Sequence, residues 1–219
     1  MGCAATKPKP LFYDDQYSSL ERSLGFSTIS ISEFAAKTKK EEIFSVVNFQ
    51  DLCNTYQSHQ FGISLRRADS YIFKMFNSRA ISKDLEMKNV TILCLALLYS
   101  KGTLDEKKRV IWNFYQREDQ KIYRADIKAL IHELLTLAGI IVPALDKPSI
   151  YEKIKASNSV LIERLAKDLT DQIFKRDTDG LDYDEFYFDI NRRSIYFLDS
   201  VAIRENLRLM NLGRLEEKE

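Results

Sequence analysis

Two stretches decide how this chain folds: Gln116-Arg-Glu-Asp-Gln-Lys-Ile-Tyr-Arg-Ala125 and Lys175-Arg-Asp-Thr-Asp-Gly-Leu-Asp-Tyr-Asp-Glu-Phe186. Each is polar, holds one aliphatic residue near its middle and is flanked by segments of helical period. Ahead of the first, Leu104, Val110, Ile111, Phe114 and Tyr115 share a stripe with the stem of Lys107. Behind it, Ile127, Leu130, Ile131, Leu134, Leu135 and Ala138 recur at three- and four-residue steps. Leu161, Leu165, Leu169 and Ile173 lead into the second stretch at intervals of four. Helix, polar loop and helix occur twice, which predicts an all-α fold.

Composition agrees. Of 219 residues only 7 are Gly and 4 are Pro, about 5% together against roughly 12% in average usage, so long helices are favoured. An all-β sandwich would need far more turns, and no G-x-G-x-x-G marks a dinucleotide fold. Lys+Arg 33 against Asp+Glu 32 leaves a net charge of +1, so no global field draws the chain to nucleic acid. Three cysteines, with Cys53 and Cys94 among apolar neighbours, fit a reducing compartment. The most apolar run, Thr91 to Tyr99, is half the length of a bilayer span, and no positively charged start leads into an apolar core, so the reading is neither secreted nor membrane-spanning.

The spacing of the two loops matches the calcium-binding EF-hand. There twelve residues offer oxygens at positions 1, 3, 5, 7 and 9 and a bidentate Glu at 12, with Gly at 6 for the bend and an aliphatic at 8 that pairs two loops. The loop from Tyr115 to Asp126 has Ile122 at position 8, Asp119 at 5 and Asp126 at 12, but Arg117 stands at 3 and Gln120 replaces the glycine. A cation therefore lies where the metal would be. The later loop holds Asp177, Asp179 and Gly180 at positions 3, 5 and 6, with the Leu181 carbonyl next. Lys175 takes position 1, and Glu185 comes one place early, the strict twelfth place falling on Phe186. Either the loop is one residue short or Glu185 reaches in by distortion. A calcium site built from Asp177, Asp179, Leu181 and Glu185 is therefore expected to be weak, and a solvated polar turn is the simpler reading.

The front half carries fainter copies, one around Lys37 to Leu52 and one from Arg66 through Asp84 to Leu98, neither with the carboxylates for calcium. The expectation is four EF-hand-like helix-loop-helix units in two paired lobes, residues 15–100 and 101–200, with an arm over 1–14 and an amphipathic tail over 201–219.

The first six residues, Met1-Gly-Cys-Ala-Ala-Thr6, fit M-G-x-x-x-[ST], the pattern for myristoylation of Gly2. One such chain binds membrane marginally, with a constant of order 10⁴ M⁻¹, so a second signal is needed. Palmitoylation of Cys3 supplies it, with Lys7 and Lys9 adding attraction to anionic lipid.

Lys101-Gly-Thr-Leu-Asp-Glu-Lys-Lys-Arg-Val-Ile-Trp-Asn-Phe-Tyr115 resembles the lead-in to the third hand of the group containing neuronal calcium sensors, calcineurin B and the plant calcineurin B-like proteins. Asp177 to Phe186 resembles their fourth hand, Asn191 to Leu198 sits where they have N-P-x-x-L, and Met-Gly-Cys with Thr6-Lys7 is similar to the dual-acylation start of some calcineurin B-like members. The resemblance implies a groove that takes an amphipathic helix from a target protein at the cytoplasmic face of a membrane, plasma or ciliary. Ile72, Met75, Phe76, Leu95 and Leu98 are candidates to line the front groove, and Val201 to Met210 is a candidate internal lid. The alternative is a calcium-independent structural subunit of a cytoskeletal or ciliary assembly. An enzyme is not expected, nor a small-molecule substrate. His132-Glu133 begins like H-E-x-x-H but meets Thr136 where the second ligand belongs, which leaves His132 as an ordinary helix residue.

Overall fold

The computed structural model describes residues 14–38, 43–44, 67, 70–79, 87–146, 148–174, 178–190 and 195–216. The described residues are mostly helical, as the periodicity predicts. In chain order the elements are α1 (Asp14–Ser23), α2 (Ile31–Thr38), β1 (Ile43–Phe44), α3 (Tyr71–Arg79), β2 (Met87–Lys88), α4 (Asn89–Tyr99) and α5 (Leu104–Tyr115). There follow β3 (Ile122–Tyr123), α6 (Arg124–Thr136), α7 (Val142–Asp146), α8 (Tyr151–Ile173), β4 (Gly180–Leu181), α9 (Tyr183–Asp189) and α10 (Ser200–Glu216). The strands form two antiparallel ribbons, β1 with β2 and β3 with β4. In the first, Ile43 lies opposite Lys88 and Phe44 opposite Met87.

One apolar core runs through both halves, from Leu20, Ile72 and Met87 to Leu134, Leu165 and Leu207. At its centre is α4, whose residues are buried throughout except for Val90, which is half-buried. A helix apolar on every side has no solvent face to offer and must be surrounded. Cys94, on this helix, lies 3.9 Å from the Leu130 carbonyl. Thr91 Oγ1 donates to Glu133 Oε1 at 2.8 Å, fixing α4 against α6 through one of its few polar groups.

The step from α4 to α5 is pinned at both ends. Ile31 N donates to the Lys101 carbonyl at 2.9 Å, and Lys101 N donates to the Ile29 carbonyl at 3.0 Å. Thr103 then caps α5 reciprocally with Glu106: Glu106 N donates to Thr103 Oγ1 at 3.2 Å, and Thr103 N donates to Glu106 Oε2 at 2.6 Å. That backbone N–H holds the Glu106 carboxyl below its ordinary value, so the cap is intact above the usual carboxylate pKa and is lost as pH falls through the lowered one.

α6 does not stop at Thr136. It passes through a π-helical turn, Leu137–Ile141, in which Val142 N bonds the Leu137 carbonyl, and continues as α7. The combined run Arg124–Leu145 is long and apolar enough to cross a membrane by length and composition alone, but 72% of its most apolar window is buried inside the fold. Beyond the turn, α7 packs against α1 and α3, while α6 packs against α8 and α4.

A Cβ on Gly102 would lie 2.3 Å from Ile31 Cγ2, and Ile31 is β-branched and fully buried. Gly102→Ala is therefore expected to destabilise by about 1–3 kcal/mol. Thermal unfolding checks this, and an unchanged Tm would mean that the α4–α5 connection is not held against α2.

Candidate functional site

The β3–β4 ribbon sets the register of the two rear loops. Ile122 lies opposite Leu181 and Tyr123 opposite Gly180, and Arg124 N donates to the Asp179 carbonyl at 2.9 Å. Both central aliphatics are buried, Ile122 fully and Leu181 nearly so. The flanking helices match across the pair: α5 ends at Tyr115 and α6 begins at Arg124, while α8 runs to its cap at Phe174 and α9 begins at Tyr183. With the paired aliphatic at the eighth place, the first loop is Tyr115 to Asp126, as the sequence suggests, and the second is Phe174 to Glu185.

The second frame begins one residue earlier than the position of Gly180 suggests. Gly180 falls at the seventh place, in strand β4, and its backbone is not among those with positive φ. Glu185 then reaches the twelfth place without distortion, but Asp177 and Asp179 move to the fourth and sixth, which supply no ligands in the calcium frame. The physical reason is that burial of Leu181 against Ile122 fixes the pairing, whereas a glycine tolerates a bend without requiring one.

The first loop is filled by its own side chains. Arg117 Nη2 bonds Asp126 Oδ2 at 2.8 Å, joining the third place to the twelfth. The guanidinium also lies 4.4 Å from the centre of the Tyr123 ring, and the Tyr123 hydroxyl donates to Asp119 Oδ2 at 2.6 Å. That hydroxyl bond is the main cause holding the Asp119 carboxyl below its ordinary value. The bend is kept without glycine, since Gln120 adopts φ 55.

In the second loop, Phe174 occupies the first place and is 2% exposed. Glu185 is engaged at the start of α9, where its Oε2 accepts from Asp182 N at 3.2 Å and its own N–H donates to Asp182 Oδ1 at 2.9 Å. Asp179 points outward to solvent. Asp177 lies outside the described residues, as do Gly2 and Cys3. Among the described residues no three His, Cys, Asp or Glu side chains converge as a metal would require. His132 lies on α6 with its Nε2 3.6 Å from Glu163, a surface carboxylate that also pairs with Lys128 at 2.7 Å.

The candidate groove residues are core. Ile72, Met75 and Leu95 are fully buried and Leu98 is 8% exposed; the Phe76 side chain lies outside the described residues. Among the described residues, α7 packs beside them on α3, with its own Val142, Ala144 and Leu145 buried. The rear face is covered by α10, through Ile203 and Leu207. Arg204 ties the same helix to α1 by a bond to Glu21 and lies 5.2 Å from the Tyr17 ring. Sequence reading missed α7. The signal was Gly139 and Pro143, four residues apart in an apolar run: Pro143 has no N–H to return to the Gly139 carbonyl.

A left-handed backbone costs an L-residue roughly 1–2 kcal/mol and glycine far less, against about 0.5–1 kcal/mol for glycine's extra chain entropy. Gln120→Gly is therefore expected to raise stability by about 0.5 kcal/mol, read as a higher urea midpoint; a loss of stability would contradict the bend. Compared with protein-family models, with curated proteins and with solved structures, the chain matches none.

Proposed function

We propose that this chain is an EF-hand-type adaptor of four helix-loop-helix units in two pairs, which holds an amphipathic helix of a target protein on the rear apolar face and does so without calcium control. The observation that carries the reading is α10 itself. It lies on that face with Ile203 and Leu207 buried, the way an amphipathic helix lies in a hydrophobic groove. Each buried aliphatic contributes about 1.5–3 kcal/mol, so the seat is suited to a helix of this kind and α10 acts as its resident lid. The two antiparallel ribbons support the paired-unit reading, because β2, β3 and β4 each stand directly before a helix, α4, α6 and α9 in turn.

Loss of calcium control follows from the loops. Arg117 supplies fixed positive charge between the third and twelfth places of one, and in the other the buried Phe174 holds the first place while Asp177 and Asp179 stand out of register with ligand positions. The loops then serve as permanent packing units rather than switches. Acylation at Gly2 and Cys3 would tether the adaptor to the cytoplasmic face of a membrane.

Affinity capture of the acylated full-length chain, with and without chelator, tests this reading. The partner is expected to stay bound in chelator, and removal of residues 200–219 is expected to raise its recovery. Release by chelator, or a micromolar calcium site by calorimetry, would contradict it. Gly2→Ala is expected to leave the membrane fraction; full retention there would remove the anchor from the proposal.

A further inference from the structure

We infer that the rear face selects its helix through a side-chain amide, so that a partner must present Leu-x-x-x-Asn in the register of Leu207 and Asn211. The inference rests on the proposed helix-binding role and specifies the chemistry of the occupant.

Two features of the π-helical turn create the selection. The first is a notch: a Cβ on Gly139 would lie 2.4 Å from Leu207 Cδ1 and 3.7 Å from Ile162 Cδ1, so the space above Gly139 is filled by the leucine of the docked helix. The second is a carbonyl. Pro143 has no N–H to give to the Gly139 carbonyl in an α-helical bond, and Asn158 Nδ2 of α8 donates to it at 2.9 Å.

A carbonyl only accepts, so this bond fixes which way the Asn158 amide points. Its nitrogen faces Gly139 and its oxygen faces α10. Asn211 Nδ2 donates to that oxygen at 3.0 Å, and Ser157 Oγ donates to Asn211 Oδ1 at 3.2 Å. The surface therefore offers one acceptor and one donor, side by side, to the residue four places after the leucine. A carboxamide meets both. A carboxylate of the same shape meets Ser157 alone and sets oxygen against oxygen at Asn158, and an aliphatic side chain meets neither.

The first test is hydrogen exchange on the full-length chain. Asn211→Asp is expected to speed exchange of the α10 amides about ten-fold, the effect of one lost hydrogen bond with its acceptor left unmet. Unchanged exchange would overturn the inference. The second test uses the full-length chain carrying Leu207→Ala and Asn211→Asp, which weakens its own α10, and a labelled peptide of residues 200–216 as probe. The unaltered peptide is expected to bind about ten-fold tighter than the same peptide with Asn211→Asp, and a further Asn158→Ala in the protein should abolish the difference. Equal binding of the two peptides overturns the amide selection and leaves the helix-binding role standing. Failure of both peptides to bind while α10 exchanges freely overturns the role and the selection together.

Discussion

The pairing of Ile122 with Leu181 is the constraint on which the rear half depends. It is two residues long on each strand, too short to persist alone, yet it buries both aliphatics and fixes how two loops and four helices meet. From it follow the positions of Phe174 and Glu185 at the ends of the second loop, the bond from Arg124 to the Asp179 carbonyl, and the start of α9. A metal ion in such a loop would draw the chain inward through carboxylates. Here the first loop reaches the same closure through Arg117, Asp126, Tyr123 and Asp119. Ion pairs at this exposure add little stability each, so the geometry rests chiefly on the ribbon and on the helix stripes beneath it.

Much of this was legible in the residues. The stripes of Ile127, Leu130, Ile131, Leu134 and Leu135, and of Leu161, Leu165, Leu169 and Ile173, are buried as their spacing requires. A helix that rests on a core must repeat its apolar residues, and that repeat survives in any single sequence. The frame of the first loop was legible for the same reason, since Ile122 is the one strong aliphatic in a polar stretch. The frame of the second was misread by one residue because Gly180 offered a second landmark that competed with Leu181. Glycine records what a backbone is permitted to do, and at this place the permission is unused.

The burial of Ile72 and Met75 against α7 was not legible. Ile72 and Met75 have the same spacing whether they line an open groove or touch a buried helix, and only the path of the chain after Thr136 distinguishes the two. The packing of α10 on the rear face was half legible. The amphipathic pattern of Val201 to Met210 suggested a docked helix, but the relay through Asn158 and Asn211 joins residues far apart in the chain that no local pattern connects.

The π-helical turn at Leu137–Ile141 has a geometric effect that reaches both halves. A π-turn holds one residue more than the α-helical turn it replaces, and each residue of an α-helix advances by about 100°. The side chains of α7 are thus out of phase with those of α6 by about that angle. A straight helix would keep a single apolar meridian; this one changes meridian partway, so that its first segment faces α8 and α4 and its second faces α1 and α3. The two halves of the molecule thus share a single shaft with two differently oriented faces.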